Sequence, residues 1–324
     1  MTRYYAPITY RVAPEEDGIQ LKTILQTRMG VSRKLLSRLK LTEEGIKLNG
    51  QRVYISVLVR SGDVVEIRME EESSDDILPQ PIPFDILYED EHLLVIHKSA
   101  GIIVHPTHGH YTNTLANGVV YYWQSKGLAY RFRAVHRLDQ ETSGVIAIAK
   151  NAYVGQHISQ QMLAGTVDKK YVAVVHGVPE ADEGSIDGPI DRDPLEPHRR
   201  IVTPTGYPSL TRYKVLERFG DTASLVQLKL ETGRTHQIRV HMSSIGCPLI
   251  GDQFYQHQAY RDEHGLDKET VERIQELDQC IGRQALHASE LSLFHPMLQQ
   301  RMTFEAPLPP DMVKLCAKLR ERMK

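Results

Sequence analysis

The sequence predicts an α+β protein in which a small α/β unit precedes a larger domain. The larger domain is expected to hold a mixed, mostly antiparallel sheet flanked by helices. Three observations lead there. Short apolar runs alternate with period two, as in Tyr171, Ala173, Val175 and in Val226, Leu228, Leu230, and they are interspersed with helical patterns and long loops. An acidic run, Glu70-Glu71-Glu72-Ser73-Ser74-Asp75-Asp76, followed by Pro79, Pro81 and Pro83, divides the chain as an extended linker would. The 324 residues also exceed what one core comfortably serves. The expected division is an N-terminal extension (1–14), a small domain (15–69), a linker (70–83) and a large domain (84–324).

The small domain opens after an extended lead-in in which Pro7 and Pro14 discourage helix. From Asp17 the pattern is helical: Leu21, Leu25 and Met29 share a face and Gly30 ends the run. Ser32 caps a second helix with Leu35, Leu36 and Leu39 inward. Ile46-Lys47-Leu48 then leads into Asn49-Gly50, which signals a type I′ hairpin turn. Val53, Val57 and Val59 follow, then a turn at 61–63 and the strand 64–67. Five cations and no anion lie between Arg28 and Lys40. Such a face is either simply solvated or suited to phosphate. The order of elements resembles the ribosomal S-four-like RNA-binding domain. That resemblance implies that Arg33, Lys34, Arg38 and Lys40 dock on structured RNA, mostly through its backbone.

In the large domain, Ile86-Leu87-Tyr88 and Leu93-Leu94-Val95-Ile96 read as strands around a turn at 89–91. His105, His108 and His110 invite a metal reading. No further Cys, Asp or Glu stands at ligand spacing, so a polar loop near a site is the better expectation. The stretch His136-Arg137-Leu138-Asp139-Gln140-Glu141-Thr142-Ser143-Gly144 places a carboxylate in a tight turn before the buried strand 145–149. It reads either as one catalytic acid at the mouth of a sheet or as an exposed Arg-Asp pair. Asn151 caps a helix carrying Val154, Ile158 and Met162, which Gly165 ends. Tyr171 in the next strand is, taken alone, a core residue. Residues 178–210 read as loops and short strands, where Arg199 and Arg200 either help to hold RNA or form a solvated pair.

Strand 226–230 runs into a helix expected from Thr235, with Ile238, Met242 and Ile245 inward and a stop at Gly246. Its start gathers Arg234, His236, Gln237 and Arg239 beside free N–H groups, which favours a carboxylate or a phosphate nearby. Residues 256–282 read as an insertion in which Thr270 caps a helix with Ile274, Leu277 and Ile281 inward. Two further strands, near 291–293 and 302–304, and a final helix with Leu315 and Leu319 complete the chain.

Composition narrows the function classes. A net charge of −2 means that any basic surface is local. Three widely spaced cysteines make no disulfide framework and fit a reducing cytoplasm. The first residues lack a signal-peptide apolar region, and no run approaches the ~18 apolar residues of a membrane span. No Walker or dinucleotide-binding glycine pattern occurs, so no nucleotide cofactor is expected.

Several stretches together resemble the RluA-type pseudouridine synthases: 86–90, all of 136–144, 170–173, 230–242, 248–252 and 283–288. Two departures stand out. His97-Lys98-Ser99-Ala100-Gly101 replaces the family's usual Asn-Lys-Pro-Ala-Gly, and the 256–282 insertion is long. The resemblance implies Asp139 as the catalytic carboxylate and Tyr171 as the aromatic that stacks on a flipped uracil and serves in removing the carbon-5 proton. It implies Arg239, rather than Arg234, as the cation paired to Asp139, and Arg137 as the side chain filling the gap left by the base. Ile238 and Leu286 line the base pocket. The implied reaction is isomerisation of specific uridines in structured RNA, ribosomal before transfer RNA. The expected protein is a cytoplasmic monomer with no membrane contact, metal or cofactor. The competing readings are an RNA chaperone with a vestigial site and a metal hydrolase using His105, His108 and His110.

Overall fold

The computed structural model describes residues 3–255 and 268–323. Its N-terminal unit is a four-stranded antiparallel sheet of order β1-β4-β2-β3, formed by β1 (Ile8–Arg11), β2 (Ile46–Leu48), β3 (Gln51–Arg52) and β4 (Val64–Ile67). The lead-in is therefore not a separate extension: Ile8–Arg11 pairs residue for residue with Val64–Ile67. The β2–β3 turn is the expected one, with positive φ at both Asn49 and Gly50. The first helix starts at Leu21 rather than Asp17; α1 (Leu21–Thr23) continues as a π-helical turn, Ile24–Arg28. There the Met29 N–H donates to the Ile24 carbonyl, five residues back. Helix α2 (Arg33–Leu39) is capped by Ser32, whose hydroxyl accepts from the Leu35 N–H at 3.2 Å. Leu21, Leu25, Met29, Leu35, Leu36 and Leu39 are all buried.

The larger domain is a nine-stranded sheet of order β5-β6-β7-β14-β8-β13-β12-β9, with β15 added to β14. Its elements are β5 (Asp85–Glu89), β6 (Leu93–Lys98), β7 (Ser143–Ala149), β8 (Asp168–His176), β9 (Glu183–Asp187), β12 (Leu210–Phe219), β13 (Ala223–Leu230), β14 (Leu286–His295) and β15 (Gln300–Glu305). Two short strands, β10 (Ile190–Arg192) and β11 (Arg200–Val202), pair apart from it. All pairings are antiparallel except β7 with β14. The sheet is thus mixed and mostly antiparallel, as the sequence predicts.

Period-two alternation sorts the side chains into two cores. Leu94, Ile96, Ile146, Ile148, Tyr171, Ala173, Val175, Val226 and Leu228 face the side covered by α3 (Leu115–Ser125) and α5 (Gln237–Ser244). Leu93, Val95, Val145 and Ala147 face α4 (Ala152–Leu163) and the N-terminal unit. Helices α6 (Lys268–Asp278) and α7 (Pro310–Glu321) cover the far end around Val174 and Phe219. Leu277 and Ile281 are buried as expected. Thr270 lies inside α6 rather than at its start, and the first part of the insertion, 256–267, lies outside the described residues. Helix α5 begins at Gln237, two residues later than expected, and Ile245 sits past its end, 38% exposed.

The two units share one core, and polar bonds reinforce the junction. Tyr153 Oη donates to the Met29 carbonyl at 2.7 Å. Gln156 donates to the Gly30 carbonyl at 2.8 Å and accepts from the Ser32 N–H at 3.0 Å. The acidic linker is packed rather than free. Ser74 and Ile77 are buried, and the Phe132 N–H donates to the Ser74 hydroxyl at 2.7 Å.

The β7–β14 seam sets the position of the site. Gly144 has φ +125° and lies so close to β14 that a Cβ would sit 2.1 Å from the Ala288 carbonyl oxygen. Gly144→Ala is expected to cost about 3 kcal/mol or more, because it combines a strained φ with a backbone clash that no rotamer relieves. Urea denaturation of the variant checks this; an unchanged midpoint would contradict it.

Candidate active site

Asp139 sits in the turn that feeds β7, and four groups pin that turn. Lys98 is fully buried at the end of β6, and its ammonium donates to the Gln140 carbonyl at 3.0 Å. The Gly101 N–H donates to the same oxygen at 2.9 Å. Arg283 Nη1 donates to the Glu141 carbonyl at 2.9 Å, and Gln284 Nε2 to the Thr142 hydroxyl at 3.2 Å. Arg283 is itself held by a two-point bridge to Asp311. A carboxylate so placed cannot drift with its loop, which is the preorganisation that a reacting group needs. The Asp139 side chain is 30% exposed, so it remains open to a ligand.

The cation opposite is Arg239, in the first turn of α5. Its Nη1 donates to Asp139 Oδ2 at 3.3 Å. Its other edge forms a two-point bridge to Asp252, Nε to Oδ2 at 2.6 Å and Nη2 to Oδ1 at 2.9 Å. Burial alone would lower the Arg239 pKa, but the bonds to Asp252 outweigh it and raise it. The Arg239 guanidinium also lies over the Tyr255 ring, 5.0 Å from its centroid. Sequence reasoning named Arg239 but not its support, Asp252.

The turn before α5 is built by Gln237. Its side-chain oxygen accepts from the Thr232 hydroxyl at 2.8 Å and the Arg234 N–H at 3.0 Å, while its nitrogen donates to the Leu210 carbonyl at 3.1 Å. The chain enters the helix through His236 in the left-handed region, φ 57°, a conformation of appreciable cost for a residue with a Cβ. That turn brings His236 Nε2 to 3.9 Å from Asp139 Oδ2, with Nδ1 2.8 Å from Tyr255 Oη. Burial pushes the His236 imidazole below its ordinary range.

These groups line a cleft of about 710 Å³. Asp139, Tyr171, Arg239, Arg137, Arg234, Ile238 and Leu286, the site residues expected from sequence, all line this one hollow. Tyr171 is buried on β8, opposite Ala288 of β14 and Leu228 of β13. Burial, and then the nearby Asp139 charge, push its phenol well above the ordinary range, so it stays protonated. Arg137 is exposed at the mouth. Arg234 is also exposed and lies against the Tyr207 ring rather than on Asp139. Sequence reasoning gave no role to Lys169, which lines the cleft two residues before Tyr171. Burial lowers its pKa, and strand alternation would have placed it on the Tyr171 face.

Other candidates fall elsewhere. His105, His108 and His110 are exposed and do not line the cleft. Among the described residues no group of three or more His, Cys, Asp or Glu is placed to hold a metal ion. Arg199 is neither a free RNA contact nor a solvated ion: it is buried against the Tyr255 ring. Arg33, Lys34 and Arg38 are exposed on α2, and Lys40 is exposed just past its end. No helix among the described residues is long and apolar enough to cross a membrane.

A pinned carboxylate, a braced guanidinium and a buried phenol meet around one cleft, an arrangement suited to an enzyme, and comparison with known proteins gives the family. The family model for RNA pseudouridylate synthase matches residues 92–244. The chain is 40% identical over 288 residues to an uncharacterized RNA pseudouridine synthase of Bacillus subtilis, YjbO, covering 89% of this chain and 95% of that one. It is 40% identical over 264 residues to the ribosomal large subunit pseudouridine synthase D of Pseudomonas aeruginosa, covering 82% and 80%. The solved structure of human RNA Pseudouridylate Synthase Domain Containing 4 superposes with a TM-score of 0.58 at 28% identity, covering 73% of this chain and 93% of that one. The chain belongs to the RNA pseudouridine synthase family, in its RluA-type branch, and is an isomerase of uridine in RNA.

Proposed function

We propose that this protein isomerises specific uridines of large-subunit ribosomal RNA, with Asp139 as its catalytic carboxylate. The observation that carries the reading is the meeting of Asp139, Arg239 and Tyr171 around one cleft. Relatives named as ribosomal large subunit pseudouridine synthases support the choice of RNA.

Isomerisation breaks the bond from the ribose to the uracil N1, turns the base and rejoins the ribose to carbon 5. The proton on carbon 5 leaves and N1 gains one, so nothing is oxidised or hydrolysed. Asp139 in its charged form acts on the sugar or the base, and Arg239, braced by Asp252, holds that charge in place. The uridine must leave its helix, at a cost of a few kcal/mol. Stacking on Tyr171 offsets about 1–3 kcal/mol of this, and Arg137 at the mouth fills the space left behind. Ile238 and Leu286 exclude water from the ring. Lys169 and Arg234, cations lining the same cleft, are available to the flipped nucleotide's phosphates. We also propose that the N-terminal unit binds RNA through Arg33, Lys34, Arg38 and Lys40, as an S-four-like domain. Its ribosomal substrate supports a cytoplasmic location.

The direct test is incubation with in vitro transcribed large-subunit ribosomal RNA, followed by mapping of carbodiimide adducts by primer extension. Absence of any new pseudouridine would refute the proposal. A second test separates the two roles given to Tyr171. Tyr171→Leu loses the stack and the hydroxyl, and should lower single-turnover kcat/KM about 100-fold. Tyr171→Phe keeps the ring and should fall between wild type and the leucine variant. If phenylalanine is as slow as leucine, the hydroxyl rather than the stack carries the effect.

A further inference from the structure

A second groove, of about 240 Å³, opens where the N-terminal unit meets the larger domain. Helix α2 forms one wall with Lys34 and Arg38, and α4 forms the other with Gly155 and Ser159. The floor is Arg133-Ala134-Val135, and Ala134 and Val135 also line the Asp139 cleft. The two hollows therefore share a wall. Three cations and no carboxylate line the groove.

One anion does reach its cations. Glu72, from the acidic linker, places Oε1 2.6 Å from Arg38 Nη2, while its other oxygen bonds to Arg133 Nη2. A single carboxylate thus bridges a guanidinium of the N-terminal unit and one of the larger domain. The Arg133 side chain is only 18% exposed, and burial lowers its pKa, so it needs an anion beside it. Paired guanidiniums about one acidic group form the two-sided fork that also receives a phosphate.

We propose that this groove carries the RNA backbone away from the Asp139 cleft, and that Glu72 holds the place of one phosphate until RNA displaces it. The inference rests on the pseudouridine synthase reading for the identity of the polyanion. The exchange is cheap, because Arg38 is 52% exposed and its bond to Glu72 is worth little in water, while the incoming phosphate replaces the contact it breaks. Arg33 on α2 and Lys40 just past its end, both exposed, extend the basic stripe beyond the groove.

The test is filter binding of the full chain to in vitro transcribed large-subunit ribosomal RNA between 50 and 200 mM KCl. Lys34→Gln and Arg38→Gln should each weaken binding about three- to tenfold and flatten the slope of log affinity against log salt by about one. Glu72→Gln removes the competing charge and should tighten binding about threefold at the lowest salt. Lys314→Gln, an exposed cation on α7, should change neither quantity. Arg133→Gln is less informative if it fails to fold, whereas Lys34 and Arg38 are exposed. Unchanged affinity and slope in Lys34→Gln and Arg38→Gln, or weaker binding by Glu72→Gln, would overturn the groove assignment. Turnover is read separately on the same RNA: a wild-type protein that forms pseudouridine while these variants bind normally leaves the functional reading intact and removes only this one.

Discussion

Asp139→Asn is expected to lower pseudouridine formation by on the order of 10⁴-fold or more, with RNA affinity within about threefold of wild type. The substitution preserves shape, and the turn that carries it is pinned through backbone carbonyls and the Thr142 hydroxyl rather than through the Asp139 carboxylate. What disappears is the negative charge opposite Arg239. An amide is a poor nucleophile and a poor base, so every route that uses this side chain is blocked alike. Single-turnover conversion of transcribed ribosomal RNA, with filter binding on the same preparation, separates chemistry from recognition. An asparagine variant that modifies the same uridine at the wild-type rate would eliminate Asp139 as the catalytic group.

Asp252→Ala should have the largest effect on stability. Asp252 is 1% exposed and Arg239 5%, so the alanine leaves a buried guanidinium without its two-point partner. Removing one member of such a pair costs about 3–5 kcal/mol. The expected kinetic effect is a fall in kcat of about 10²-fold, because Arg239 is then free to turn onto Asp139 or away from it. Asp252→Asn keeps one acceptor and should lie between. Chemical denaturation measures the first effect and single-turnover kinetics the second. A variant as stable and as fast as wild type would mean that Tyr255 and the helix alone hold Arg239.

The turn of Asp139 and the strand of Tyr171 were legible because their signals are local, while the roles proposed for them came from the family resemblance. Asp139 is followed by a turn and an apolar strand, and Tyr171 alternates with Ala173 and Val175 along one face. Lys169 obeys the same alternation and was open to the same reasoning. Asp252 was harder: it sits in a quoted motif, but its partner is 13 residues earlier, on a helix entered through a left-handed turn at His236 that no periodicity reveals. The packing of the extended linker was not legible because composition reports solvation, not pairing. Glu72 finds Arg133 61 residues away, a contact visible only once both units are in place. The lead-in strand was hidden for a similar reason: Ile8–Arg11 is a strand because Val64–Ile67 offers it an edge.

By itself, the sequence determined the class of fold and the order of most of its elements, because periodicity and turn residues act over a few neighbours, and the resemblance it carries pointed to the side chains of the proposed site; it did not reveal the strand Ile8–Arg11 or the helix Leu115–Ser125. Only the tertiary structure decided how Asp139 is held, what braces Arg239 and where the second groove runs. Those depend on a parallel seam between strands about 140 residues apart in the chain, whose closeness is set by packing around Gly144 rather than by any local preference.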